Sequence, residues 1–251
     1  MPDAATADDH RLAAALAQEA GELLLELRSS GAGLRPGVLK DQGDRLAHRL
    51  LADRLGGARP DDGLLSEEGA DSTHRLGRSR VWIVDPLDGT REFGEAGRSD
   101  WAVHVALAID GSLVAGAVAL PARQLLLTTD PAPVHPPASP DRLRVVTSRT
   151  RMPEAASRVG EALDAELLPL GSAGAKAMAV VLGEADAYAH SGGMYEWDSA
   201  APAAVAAAAG MHVSRIDGSP LVYNRPHPWL PDLLVCRPEL TKTCLAALEG
   251  C

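Results

Sequence analysis

The sequence predicts an α+β region followed by an α/β region, and three observations carry that expectation. Leucines near the N-terminus recur at helical spacing, a short apolar run precedes a hairpin signal, and strand-like and helix-like segments alternate from residue 143 onward. The first helix is expected from Thr6 to Arg28. Thr6 can cap it with Asp9 three residues on, and Leu12, Leu16, Ala20, Leu23, Leu24 and Leu27 fall on one side. Gly31 and Gly33 should end it. A second helix is expected from Asp44 to Leu55, with Leu46, Leu50, Leu51 and Leu55 on one face and Gly56-Gly57 as its stop.

Val81-Trp82-Ile83-Val84 has the continuous apolar character of a strand buried on both faces. Trp101 to Ile109 and Leu113 to Leu120 read as hairpin partners around the Asp110-Gly111 turn. Between Thr129 and Asp141 stand Pro131, Pro133, Pro136, Pro137 and Pro140, so this segment should be irregular. It sets an expected division into an N-terminal half, 1–135, with most metal ligands, and a C-terminal half, 136–251, with Asp198 and the substrate contacts. In the second half Leu143–Thr147, Ala187–His190, Met211–Val213, Leu221–Tyr223 and Leu233–Cys236 read as strands. Pro153–Leu163, Ala173–Leu182 and Ser199–Ala209 read as helices.

Composition narrows the function. The 251 residues carry a formal net charge of −10, a poor match to a protein that coats a nucleic acid polymer. At 46% hydrophobic and 23% charged residues the chain should fold around a real core. No apolar run is long enough for a membrane span, and the Met1-Pro2-Asp3-Ala4-Ala5 start lacks the layout of a secretory signal. Cys236, Cys244 and Cys251 are odd in number and not in a Cys-x-x-Cys spacing, which fits a reducing cytoplasm.

Three acidic strings stand at the edges of apolar elements: Ser66-Glu67-Glu68-Gly69, Asp85-Pro86-Leu87-Asp88-Gly89-Thr90 and Glu196-Trp197-Asp198-Ser199. A buried strand should deliver Asp85 to its carboxyl end, where α/β sheets bind ligands. Pro86 restricts the backbone, the turn returns Asp88 beside Asp85, and the Leu87 carbonyl can join them. Hard oxygens of this kind suit Mg²⁺. A helix opened by Gly89-Thr90 would offer free N–H groups to a phosphate. Each string also has an ordinary explanation: a turn, a solvated loop, or a helix cap at Asp198.

Taken together, Glu67-Glu68, the string from Trp82 to Phe93 and Trp197-Asp198-Ser199-Ala200-Ala201 resemble the inositol monophosphatase superfamily. They are most similar to its CysQ branch, the 3′(2′),5′-bisphosphate nucleotidases, in an actinobacterial form. Thr147-Ser148-Arg149 and Gly171-Ser172 with Lys176 resemble further family segments, so the likeness spans essentially the whole chain. The resemblance implies a layered αβαβα sandwich and a Mg²⁺-dependent, Li⁺-sensitive phosphatase of sulfur metabolism. Its substrate would be adenosine 3′,5′-bisphosphate, with 3′-phosphoadenosine 5′-phosphosulfate as a further one. It implies Glu67, Asp85 and the Leu87 carbonyl around one Mg²⁺, Asp85, Asp88 and Asp198 around a second, and a weaker third near Glu67. Asp44 and Thr90 would orient or deprotonate the attacking water, while the Gly89 and Thr90 N–H groups hold the phosphate. Asp41 stands where the family usually has threonine, which makes Glu68 an alternative base.

Arg91, Arg149, Lys176 and Arg225 are candidate anchors for substrate anions, with Ser148 and Ser172 beside them. Tyr195 and Trp197 flank Asp198 and can pack on ribose or base, or in the core, and Gly192-Gly193 can admit a sugar. His48, His74, His104, His190, His212 and His227 show no ligand spacing and read as structural. The expected partner is a small phosphorylated nucleotide or sugar, with neither a membrane nor a nucleic acid polymer, and a homodimer is compatible. Inositol 1-phosphate, fructose 1,6-bisphosphate and histidinol phosphate are the rival substrates. A haloacid-dehalogenase-like phosphatase needs two aspartates two apart, whereas Asp85 and Asp88 are three apart. A metal- or nucleotide-sensing module is the non-catalytic alternative.

Overall fold

The computed structural model describes residues 5–31, 33–69, 73–137 and 142–251. Helix α1 runs Ala7–Ser30 and is capped as its sequence dictates: the Thr6 side chain accepts from the Asp9 N–H, and Asp9 reaches back to the Thr6 N–H. Gly31 caps its far end. Helix α2, Pro36–Ala58, is longer than expected at both ends. Pro36 starts it, since a proline has no N–H to leave unpaired in the first turn. Gly56 and Gly57 fail to stop it. Each glycine costs about 1 kcal/mol relative to alanine, and burial of Leu51 and Leu55 just before them outweighs that.

The first sheet has the order β1-β2-β3-β4-β5, with β1 Gly63–Ser66, β2 Arg80–Asp88, β3 Ala102–Ile109, β4 Ser112–Leu120 and β5 Leu125–Thr128. Strand β1 pairs parallel to β2 and the other pairs are antiparallel. The apolar run at 81–84 is buried on both faces, as expected. The helix opened by Gly89-Thr90 is a single turn, α3, Thr90–Phe93. Of the proline-rich segment, residues 129–137 form neither helix nor strand, and 138–141 lie outside the described residues.

The second sheet has the order β7-β6-β8-β10-β9, built from β6 Arg144–Ser148, β7 Glu166–Leu170, β8 Ala187–Tyr195, β9 His212–Ser214 and β10 Trp229–Cys236. Strand β6 is parallel to β7 and β8, whereas β10 is antiparallel to both its neighbours. Pro169 lies within β7, which tolerates it because β7 is an edge strand. The expected strand at Leu221–Tyr223 does not form. Tyr223 instead makes one backbone bond to Gly111 and buries its ring, with its hydroxyl 3.2 Å from Ser199.

Four more helices complete the chain: α4 Glu154–Ala162, α5 Ala173–Val181, α6 Glu196–Ala208 and α7 Thr241–Leu248. Helices α1 and α2 cover one face of the first sheet around Leu16, Leu24, Leu51 and Trp82. Helices α5 and α6 fill the space between the sheets around Met178, Val180 and Val205. Helices α4 and α7 close the outer face of the second sheet. The result is the five-layer αβαβα arrangement. Its central apolar cluster joins Ile83 and Val118 of the first sheet to Val146 and Leu233 of the second. Among the described residues no helix is long and apolar enough to cross a membrane.

Candidate active site

Aspartates three apart on a regular strand would point to opposite faces. Between Asp85 and Asp88 the β2–β3 register slips: Asp85 pairs with His104 and Asp88 with Ala102, so β2 holds one extra residue. The bulge resets the alternation and turns both carboxylates to one side. The Leu87 N–H donates to Asp85 Oδ1 at 3.0 Å and tightens the turn. Gly89 follows at φ +84, and a Cβ there would crowd the Asp100 carbonyl at 3.2 Å and the Ser172 side chain at 3.1 Å.

The third aspartate arrives from the other sheet. Helix α6 begins three residues earlier than expected, so Asp198 lies inside its first turn rather than before it. Its Oδ2 accepts the Tyr195 N–H at 2.6 Å. One oxygen from each of Asp85, Asp88 and Asp198 falls within 4.8 Å of the others. Asp85 and Asp88 are buried. Glu67, in the turn after β1, is exposed and does not belong to this group of three, although its charge is felt by Asp85. Asp85 Oδ2 is buried without a donor.

The electrostatics follow from this crowding. Burial first, then Glu67, Asp88 and Asp198, push the Asp85 carboxyl well above its ordinary value. Burial with neighbouring carboxylates raises Glu67 and Asp198 to about 7. Asp44, on α2, is raised to about 7 by burial, Glu68 and Asp41. An orphaned buried oxygen among converging carboxylates is a donor set that fits a hard divalent cation such as Mg²⁺. The Thr90 hydroxyl donates to the Leu87 carbonyl at 3.2 Å. Among the described residues no hydrogen bond joins Asp44 to Thr90.

Gly89, Thr90, Arg91, Ser148, Arg149, Ser172 and Lys176 all line one hollow of about 260 Å³ beside the cluster. Their side chains differ in what they leave free. Arg91 is exposed at the rim. The Arg149 guanidinium is already held by Glu92 at 2.5 Å and Glu95 at 2.6 Å. The Lys176 ammonium is buried and donates to the Gly171 and Ser172 carbonyls at 2.9 and 2.7 Å. Ser172 donates its hydroxyl to Asp88 at 2.5 Å. Arg225 is exposed and lines neither this hollow nor the next.

A second chamber, of about 350 Å³, contains Asp88 and Asp198 and is walled by Tyr195 and Trp229. Tyr195 stacks on Trp197 with centroids 4.5 Å apart, and Trp229 meets Tyr195 edge-on at 5.4 Å. Tyr195 and Trp229 stay 44% and 45% exposed. Trp197 also packs against the central core. Sequence reasoning passed over Trp229, although its Pro228-Trp229-Leu230-Pro231 setting in a turn-rich stretch marks it as a surface aromatic.

Known proteins resemble this chain in sequence and in fold. Two 3′-phosphoadenosine 5′-phosphate phosphatases are 50% identical to this chain. The Mycobacterium leprae protein aligns over 96% of this chain and 93% of its own length, and the Mycobacterium tuberculosis protein over 92% and 89%. The crystal structure of CysQ from Bacteroides thetaiotaomicron, a bacterial member of the inositol monophosphatase family, superposes with a TM-score of 0.76. It shares 26% identity over 92% of this chain and 97% of that one. Residues 8–249 match the inositol monophosphatase family, a span that runs through both sheets and every carboxylate of the cluster, so the chain belongs to that family.

Proposed function

We propose that this protein is a Mg²⁺-dependent phosphatase that removes the 3′-phosphate of adenosine 3′,5′-bisphosphate, leaving AMP and phosphate. We extend the proposal to 3′-phosphoadenosine 5′-phosphosulfate as a second substrate. The convergence of Asp85, Asp88 and Asp198 from two sheets carries the reading, and the two mycobacterial relatives at 50% identity support its substrate. The exposed aromatic wall of Tyr195 and Trp229 favours a nucleoside over an inositol or fructose ring, because a flat base can stack there.

Glu67, Asp85 and the Leu87 carbonyl would hold one Mg²⁺, and Asp85, Asp88 and Asp198 a second, with room for a weaker third near Glu67. Bound there, Mg²⁺ supplies charge neutralisation of the phosphate ester and acidification of water. The chain's own groups do the rest. Gly89 and Thr90 offer backbone N–H groups to the phosphate at the edge of the first hollow. Asp44, whose carboxyl stands at about 7 in the metal-free protein, takes the proton of the attacking water with Thr90 as its orienting partner. Glu68, beside Asp44, is the alternative base. Arg91 meets the ester's oxygens at the rim of the hollow, while the Ser148 hydroxyl already accepts the Thr150 N–H. Arg149, Ser172 and Lys176 shape its floor, since their polar ends already bond protein groups. A cytoplasmic setting belongs to the same proposal, supported by three free thiols. So does a homodimer, which light scattering would detect.

The deciding measurement is phosphate release from adenosine 3′,5′-bisphosphate, inositol 1-phosphate, fructose 1,6-bisphosphate and histidinol phosphate, each with and without Mg²⁺. The nucleotide is expected to give the highest kcat/KM, and chelation to abolish turnover. Faster turnover of inositol 1-phosphate would overturn the substrate, and metal-independent turnover would overturn the chemistry.

A further inference from the structure

Strand β3 reads Ala-Val-His-Val-Ala-Leu-Ala-Ile, and His104 is its single polar residue. Core packing alone would place another aliphatic side chain there. His104 has no exposed surface and pairs across the sheet with Asp85 on β2 and Val118 on β4. A buried imidazole needs partners for both nitrogens.

One of them finds its partner on α6, the helix that carries Asp198. Nδ1 lies 3.1 Å from the carbonyl oxygen of Trp197, the peptide immediately before Asp198 in α6. A carbonyl only accepts, so Nδ1 carries a proton and donates it. Nε2 lies 3.3 Å from Asp88 Oδ2 but makes no hydrogen bond to it. That oxygen accepts the Ser172 hydroxyl at 2.5 Å and the Gly174 N–H at 2.7 Å. Asp88 is thereby held from behind on one oxygen, which leaves Oδ1 for the cluster. Space for the ring is reserved: a Cβ at Gly174 would stand 2.1 Å from Nε2.

We propose that His104 is a positioning residue that pins the first turn of α6, hence Asp198, to the first sheet beside Asp85, through its Nδ1–H bond to the Trp197 carbonyl. The inference rests on the reading that this cluster binds Mg²⁺. Groups behind metal ligands typically change metal affinity by about 10- to 100-fold when removed.

The test compares wild type, His104→Leu and His104→Gln by calorimetric titration with Mg²⁺, with kcat, KM and the unfolding midpoint in chelator measured alongside. His104→Leu is expected to bind Mg²⁺ about 10-fold or more weakly and to lose kcat, with KM for the nucleotide moving less than about threefold. Its midpoint in chelator should hold or rise, because leucine suits the apolar strand. His104→Gln, which keeps a donor for the Trp197 carbonyl, should recover part of the affinity. Mg²⁺ affinity within about twofold of wild type in His104→Leu overturns the proposal. Should His104→Leu not fold, His104→Gln decides alone: weaker Mg²⁺ binding with a retained midpoint supports the proposal, and unchanged binding overturns it. Wild type that binds no Mg²⁺ at all would sink the metal reading and this inference with it. Equal binding by wild type and variant sinks only the role of His104.

Discussion

Asp9 and Asp85 are each 1% exposed, and they end in opposite electrostatic states. Burial pushes Asp9 up, but the Thr6 N–H and hydroxyl on one oxygen and Arg59 and Arg80 on the other together bring its carboxyl down to about 2. Asp85 keeps one donor, the Leu87 N–H, and otherwise faces Glu67, Asp88 and Asp198, so burial and like charge hold it well above its ordinary value. Residue type and exposed surface are the same; Asp85 lies deeper, and its partners are carboxylates where those of Asp9 are guanidiniums. The Asp9 site is complete within the chain. The Asp85 site is an unfinished ion pair that calls for a cation from outside.

The largest expected effect of that contrast is on activity. Asp85→Asn should lower kcat about a thousandfold or more, while the metal-free protein unfolds at the same or a higher temperature, because the substitution removes an uncompensated charge. Activity within tenfold of wild type would break the comparison.

Ligand linkage comes next. At a Mg²⁺ concentration of about 100 times Kd, wild type should gain about 2.7 kcal/mol of stability, read as a rise in Tm, and Asp85→Asn should gain almost none. An equal rise in both would place the cation elsewhere.

Asp9→Asn should do the reverse. It leaves Arg59 without its carboxylate and weakens the hold on Arg80, which retains Asp62. Both guanidiniums are partly solvated, so the loss should be about 1–2 kcal/mol, a Tm lower by several degrees, with kcat unchanged within about twofold. A loss of kcat at temperatures where the variant is folded would show that Asp9 is not merely structural.

The smallest effect is on pH. Glu67 and Asp198 titrate near 7 in the folded metal-free protein, against ordinary values of 4.5 and 3.8. The folded state therefore holds protons that the unfolded chain releases, and stability drains away as pH rises through that interval. Tm in chelator should be lower at pH 8 than at pH 5.5, and Mg²⁺ should remove most of the difference. Asp9 does not interfere, since its contribution is lost only as pH falls from about 4 to about 2. A metal-free Tm that climbs between pH 5.5 and 8 would contradict the assignment of these carboxyls.

Much of the fold was legible because its signals are local. The α1 capping box, the run at 81–84 and the turn at Asp110-Gly111 each depend on neighbours within a few residues, and each appears where the sequence places it. The misread elements are those that tertiary packing overrules. Helix α2 passes through two glycines, β7 accepts Pro169 only as an edge strand, and the residues around Leu221 have no strand to pair with. At the site, the acidic strings and the hollow-lining residues were recognisable by type. Which of their polar ends remain free was not: Arg149 is engaged by Glu92 and Glu95, and Lys176 by backbone carbonyls. His104 lacked any spacing signal because its hydrogen-bond partner lies 93 residues away.

By itself the sequence determined the chemistry on offer: hard oxygen ligands, a strand that carries two of them, and a turn whose N–H groups suit an anion. Only the tertiary structure decided which carboxylates converge. Local geometry reaches a few residues, whereas bringing Asp198 to Asp85 and Asp88 requires two sheets to dock around α5 and α6, with a bulge in β2 and the buried ring of His104 holding the parts together.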